Sequence, residues 1–330
     1  MQKTKFLVIQ TAFIGDAILA TSILEKLHQH YPQSGIDFLV RKGNEALFKE
    51  HPFINHLYVW DKKGEKYTNL YSILRQVRKV NYDYVVNLQR FATTGLFAAL
   101  SKGKEKIGFK KNPFSLFFDK KIVHEIGDGS HEIERNQLLI EHLTDIDFVR
   151  PQLYPSKQDF DSVTNYKTET YITISPASVW FTKQFPKEKW IEYLNFLDKS
   201  IKVYLLGGPG DEGLCNEIKN ETTHPKINVL AGKLSFLESA AIMKDAAMNF
   251  TNDSAPLHIA SSMNAPVTAI FCSTVPDFGF GPLSSNSRIA ATRKKLDCRP
   301  CGLHGKKACP LDHFKCAKTI DIKTLKSDFN

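Results

Sequence analysis

Short apolar runs alternate with segments of helical periodicity along nearly the whole chain. KFLVIQ at 5–10 leads into a helix expected from Asp16 to about Tyr31, where Ile18, Leu19, Ile23, Leu24 and Leu27 recur at helical spacing and Tyr31-Pro32 closes the element. GIDFLV, HLYVWD and YDYVVNLQ follow as strand-like runs. The stretch 145–169 is polar, carries prolines, has no sustained period and reads as a linker. The alternation then restarts with TYITISP, KVYLLGG, INVLAG, AAMNFTND and PVTAIF, with helices expected over 186–199, 211–221, 235–244 and 255–263. Runs that are apolar on both faces and joined by crossovers predict parallel sheets covered by helices. The expectation is an α/β protein with two Rossmann-like, doubly wound halves, 1–150 and 151–330, facing each other across a cleft.

In open α/β sheets ligands bind at the carboxyl ends of strands, so the residues just after each run carry the candidate chemistry. In QTAFIGDAIL, Gly15 permits a tight turn and Asp16 falls at or near the start of a helix, as a cap or as a site residue. In ISPASVWFTKQFPKEKW, the small and hydroxyl residues Ser175, Ala177, Ser178 and Thr182 precede Lys183, which is either a surface lysine or a point charge for a diphosphate. In YLLGGPGDEGL, Asp211 and Glu212 follow a glycine turn and suit either ribose hydroxyls or a helix's first turn. In NFTNDSAPLHIASSM, a helix beginning near Ala255 aims the amides of Ser254 and Ala255 outward as an anion site. His258 lies on its first turn, and Asp253 looks like a cap. Neither G-x-G-x-x-G nor a Walker lysine is present, so dinucleotide and P-loop sites are not indicated.

Lys+Arg of 44 against Asp+Glu of 35 leaves a net charge of +9, which favours an acidic partner. Residues 102–121 hold seven lysines interleaved with Phe109, Phe114, Phe117 and Phe118, and read as a basic, aromatic loop suited to a membrane surface or an anionic glycolipid, or as a solvated face. No nucleic-acid motif accompanies the charge, so nucleic acid is not expected as a partner. Asp16 interrupts the apolar N-terminal stretch, and no run reaches the ~18 uninterrupted apolar residues of a spanning helix. A soluble, cytoplasmic protein is expected, with peripheral contact to a membrane as the alternative. Cys298, Cys301, Cys309 and Cys316 crowd the last tenth of the chain. Their spacing departs from a standard zinc ribbon, so structural zinc is weighed there but unligated thiols or disulfides are preferred.

FIGDAILATSILEKLHQHYP, then SPASVWFTKQFPKEKW, LLGGPGDEGL, TNDSAPLHIASSMNAPVTAIF, the FGFGP turn at 278–282 and the terminal cysteine segment together resemble the ADP-heptose:lipopolysaccharide heptosyltransferases of glycosyltransferase family nine. The likeness runs through nearly the whole chain. It implies a GT-B fold, with an N-terminal domain for the acceptor and a C-terminal domain for the nucleotide sugar. It also implies inverting, metal-independent transfer of heptose from ADP-heptose to an anionic lipopolysaccharide core at the cytoplasmic face of the inner membrane, without a required cofactor. By the same resemblance, Asp16 stands at the catalytic base and Lys183 at the donor phosphates. Ser178, Thr182, Asp253, Ser254, Ala255 and His258 belong to the donor loops, and Asp211 or Glu212 stands near the ribose acid. Ala255 replaces a glycine common in the family, and a positive φ there would be strained. Another nucleotide sugar, or nucleotide-sugar binding without turnover, are the alternatives.

Overall fold

The computed structural model describes residues 3–325 and divides into two compact units that meet in sequence between Tyr154 and Pro155. The first contains strands β1 (Lys5–Ile9), β2 (Gly35–Arg41), β3 (Ile54–Trp60), β4 (Tyr82–Asn87), β5 (Gly103–Phe109) and β6 (Lys120–Ile122), with helices α1 (Ile14–His30), α2 (Lys66–Val77), α3 (Ala92–Leu100) and α4 (Glu132–Gln137). The second contains β7 (Tyr171–Ser175), β8 (Lys202–Leu205), β9 (Ile227–Val229), β10 (Met248–Asn252), β11 (Val267–Phe271) and β12 (Ser287–Ala291), with α5 (Lys157–Ser162), α6 (Lys187–Phe196), α7 (Glu212–Glu221), α8 (Phe236–Lys244), α9 (Ala255–Ser262) and α10 (Lys315–Lys318).

Each unit is built on a parallel six-stranded sheet, ordered β3-β2-β1-β4-β5-β6 in the first and β9-β8-β7-β10-β11-β12 in the second. The central strands are the apolar runs of the sequence. Phe6 to Ile9 and all of β11 are buried on both faces, as strands covered by helices on each side must be. Val8 pairs with Phe38 on one side and Val86 on the other, placing β1 in the middle of its sheet. In the second unit Trp190, Phe250, Ile174 and Val203 are fully enclosed in the core.

The structure corrects three expectations. The basic stretch 102–121 is a loop only in its middle, because its two ends form β5 and β6. Lys104 pairs with Asp83 at 2.6 Å and Lys106 Nζ donates to the carbonyl of Ala99, so the charges are accommodated at the sheet margin and their alkyl stems lie along it. Strand β12 was not expected, since its sequence SRIAA is short and only partly apolar. The segment read as linker contains α5, whose Ser156 and Asp159 form a reciprocal cap. Among the described residues no helix is long and apolar enough to cross a membrane.

Both sheets reverse direction beside their first strand, between β1 and β4 and between β7 and β10. Crossovers leave that point in opposite directions, which opens the carboxyl edge of the sheet to a ligand. In the first unit this edge is braced by Asn112, which donates to the carbonyls of Gln89 and Phe91 at 2.9 and 3.1 Å and accepts from the amide of Phe114. Its side chain lies against Gly95 of α3, where an added Cβ would stand 1.9 Å from Asn112 Oδ1. Gly→Ala inside a helix ordinarily stabilises by about 1 kcal/mol. At Gly95 the sign is expected to reverse, with Gly95→Ala losing about 1–3 kcal/mol in urea denaturation because Asn112 must abandon its carbonyls.

Candidate active site

The first unit's switch point gathers an acidic and basic cluster. Helix α1 begins at Ile14 with Phe13 in the cap position and no capping side chain, so Asp16 is not the cap that its position beside Gly15 allowed. It sits in the first turn, half-buried. Burial first, then the negative charge of Glu132, push its carboxyl up to about 6 against the pull of nearby backbone N–H groups and of Arg90. Glu132, at the start of α4, is more deeply enclosed. Burial alone would raise it, but His124 and Arg135 outweigh that and hold it below the usual range. Arg135 Nε donates to Glu132 at 3.0 Å. Arg90 approaches His124 Nδ1 at 3.2 Å, and since a guanidinium only donates, the imidazole proton is placed on Nε2, 3.3 Å from Glu132. Two neighbouring carboxylates are thereby separated in acidity: one a permanent anion, the other a proton acceptor poised near neutrality.

Cations collect at the ends of the adjoining strands. Lys62, just past β3, donates to the carbonyl of Thr11 at 2.5 Å and lies 4.6 Å above the Trp60 ring. Its ammonium is lowered to about 8 by burial and by the charges of Arg41 and Lys66. Arg41, at the end of β2, stacks over the exposed ring of Phe13. Such a group is suited to an anion.

In the second unit the switch point is organised by Asn252 at the end of β10. Its Oδ1 accepts from the amide of Phe185 at 2.9 Å and its Nδ2 donates to the carbonyl of Pro176 at 2.8 Å, pinning the loop after β7. Asp253 then accepts from Lys183 Nζ at 2.7 Å and from Thr274 Oγ1 at 2.6 Å. It is therefore not a helix cap. Ser254 holds the cap position with extended backbone and no capping side-chain bond, and α9 starts at Ala255 followed by Pro256. Ala255 is simply the first residue of this right-handed helix, so the strain anticipated from the missing glycine does not arise. His258 is buried on the first turn, with its ring edge-on to Phe280. Lys183, the amides opening α9 and His258 thus surround one strand-to-helix junction.

A profile of glycosyltransferase family 9 (heptosyltransferase) matches residues 70–311, most of the chain. The chain belongs to glycosyltransferase family 9. Lipopolysaccharide heptosyltransferase 3 of Escherichia coli is 28% identical over 291 residues, covering 83% of this chain and 85% of that protein. The family 9 glycosyl transferase from Veillonella parvula DSM 2008 superposes with a TM-score of 0.78 at 23% identity, over 87% of this chain and 85% of that one. The E. coli ADP-heptose lps heptosyltransferase II does so at 0.75 and 21%, over 90% and 96%. The protein is a glycosyltransferase with the GT-B type of fold.

Within this family 9 chain the remaining candidates fall into different settings. Thr182 is buried, and its hydroxyl accepts from the amide of Lys306 at 2.7 Å and meets Ser273 Oγ at 3.0 Å, so it fastens the cysteine segment to the sheet. Gly305 crosses directly over it with φ +74, and a Cβ there would meet Lys183 Cγ at 2.9 Å. Ser178 offers its carbonyl to Gln184. Asp211 folds back onto the amide of Gly208 at 2.8 Å, whereas Glu212 is exposed at the first position of α7. All six cysteines are unbridged. Cys316 is driven to about 11 by burial and by its thiol neighbours Cys301 and Cys309. Among the described residues no three His, Cys, Asp or Glu side chains are grouped to hold a metal ion.

Sequence reading missed Arg90, His124, Glu132 and Lys62. Arg90 and Lys62 follow strand-like runs directly and were discoverable by the strand-end rule. His124 and Glu132 lie in a stretch without periodicity, and only the fold brings them to Asp16.

A carboxyl raised in the folded state favours folding only while protonated. That contribution is complete below the unfolded value of 3.8 and is lost as pH rises through about 6, leaving an enclosed anion with unfavourable energy. Asp16→Asn removes the titration. It is expected to be more stable than wild type near pH 8, by on the order of 1–3 kcal/mol, with the advantage vanishing near pH 4. Denaturation followed across that range checks it.

Proposed function

We propose that this transferase moves a heptose from ADP-heptose to an anionic lipopolysaccharide core with inversion at the anomeric carbon. The reading is supported by family membership, by the likeness to the lipopolysaccharide heptosyltransferases of E. coli, and above all by one observation. A carboxyl poised at about 6 occupies one switch point, and a half-buried lysine paired with a buried carboxylate beside a helix start occupies the other. In a single displacement the acceptor oxygen forms a bond to the anomeric carbon while the bond from that carbon to the diphosphate oxygen breaks. The acceptor's proton passes to Asp16, and the electron pair leaves with ADP. General-base assistance of this kind typically contributes ~10²–10⁴-fold. Glu132 stays ionised and keeps Asp16 basic, while the cations at Arg41 and Lys62 receive phosphate groups of the acceptor.

On the donor side, charge grows on the departing diphosphate and must meet preorganised donors. Lys183, held by Asp253 so that its other N–H bonds project outward, the amides of Ser254 and Ala255, and His258 serve that role. They supply the positive charge for which other transferases use a divalent ion. Glu212, exposed where Asp211 is internally engaged, is the acid that receives the ribose hydroxyls.

Asp16→Asn is expected to retain ADP affinity and to lose turnover by at least ~10²-fold. Wild-type kcat/KM should climb with pH through about 6, and that limb should vanish in the variant. Near wild-type transfer by Asp16→Asn in a radiolabelled heptose assay would remove the base assignment. Lys183→Met should weaken ADP binding by calorimetry, and since it strips the partner from buried Asp253 it should also cost about 3–5 kcal/mol of stability. Asp253→Asn in the same background is expected to restore part of the stability but none of the affinity.

A further inference from the structure

Helices α2 and α3 leave an apolar groove of about 390 Å³ between them, lined by Tyr67, Tyr71, Leu74, Leu96, Leu100 and Phe114. Its walls are open to solvent: Tyr67 is 70% exposed, Tyr71 63%, Leu96 41% and Leu100 44%. The apolar surface continues onto the turn at 114–117, where Phe114 and Phe117 stack at 6.3 Å and Leu116 stands 85% exposed. Patches of this kind on a soluble fold mark an interaction site.

The surrounding charge identifies the occupant. Residues 62–121 contain fourteen Lys or Arg and only four Asp or Glu, so the whole-chain excess of +9 resides in this one segment. Several of these cations border the groove. Arg78 donates to the carbonyl of Leu100 at its end, Lys106 to that of Ala99, Lys66 lies over the Tyr67 ring at 4.9 Å, and Lys110 and Lys111 precede the aromatic turn and are exposed. Aromatic and leucine side chains ringed by lysine are what the boundary between acyl chains and anionic headgroups accepts.

We propose that the α2–α3 groove and the 114–117 turn form a docking surface for anionic lipid bilayers, with Tyr67, Tyr71, Leu96 and Leu116 entering the interface and Lys110 and Lys111 meeting headgroup phosphates. None of the residues lining this surface belongs to the Asp16 cluster or to the donor junction, and the proposal holds whatever sugar the enzyme transfers. The test is sedimentation with phosphatidylcholine vesicles, with and without phosphatidylglycerol. Wild type should pellet with the anionic vesicles only, and less in high salt. Lys110→Ala and Lys111→Ala should each weaken binding by about fivefold, and Leu96→Glu by about tenfold or more. All three positions are exposed, so thermal midpoints and ADP binding should be unchanged. In Leu96→Trp, emission should be quenched by brominated acyl chains beyond the wild-type level. Equal binding to neutral vesicles, unaltered binding by Leu96→Glu, or no added quenching in Leu96→Trp would overturn the proposal. So would light scattering that shows a dimer dispersed by Leu96→Glu, which would assign the groove to a second copy.

Discussion

A parallel sheet whose strand order reverses beside its first strand cannot cover its own carboxyl edge at that point, because the two crossovers leave in opposite directions. Everything chemical in this protein is arranged around two such points. After β1 and β4 the chain places Asp16 and Arg90; after β7 and β10 it places Lys183 and the Asn252–Asp253–Ser254 turn. The same packing that buries Leu7 to Ile9 and Phe250 to Asn252 on both faces therefore delivers polar side chains to its rim with little freedom to wander. Asn252 shows the coupling directly: as a buried strand residue it spends its amide on the loop that carries Lys183's neighbours, so the sheet register positions the lysine.

The two sites solve opposite electrostatic problems with similar means. At the first, the fold raises Asp16 by burial beside a carboxylate that it keeps charged. His124 and Arg135 stabilise Glu132 as an anion, and that fixed charge then acts on Asp16. At the second, the carboxylate is the buried member, and Asp253, bonded to Thr274, holds Lys183 in place. Removing one member of a buried pair exposes the other to the full desolvation penalty, so each site is conserved in energy as a unit rather than residue by residue.

The centre of the fold was legible in the sequence because its strands are continuous apolar runs and its main helices have a clear period. The margins were not. Strands β5 and β6 carry four of the seven lysines between residues 102 and 121, and a pattern-based reading takes the stretch for a loop; what makes them strands is pairing with β4 and counter-charges such as Asp83, neither visible in one dimension. Likewise Asp16, Lys183, Asp253 and His258 stood out because they follow strands, while Glu132 did not, since it reaches Asp16 only through the packing of α4 against α1. The cap readings failed for a shared reason: an acid near a helix start is a cap only if the backbone enters the helix at that residue, and here α1 starts two residues before Asp16 while α9 starts two after Asp253.

Those margins also explain how long-range and contact electrostatics are divided. Exposed lysines act over roughly a Debye length of about 8 Å at physiological salt, and they attract extended anionic surfaces without selecting among them. The Lys183–Asp253 pair beside the opening of α9 lies in a drier setting, where a few well-placed groups outweigh many distant charges. Placing net positive charge on β5, β6 and α2 has a second effect, since lysine on a sheet edge discourages strand addition by another chain. One distribution of residues thus supplies the segment's surplus positive charge and, through Lys120 and Lys121 on β6, protects the open edge of the first sheet.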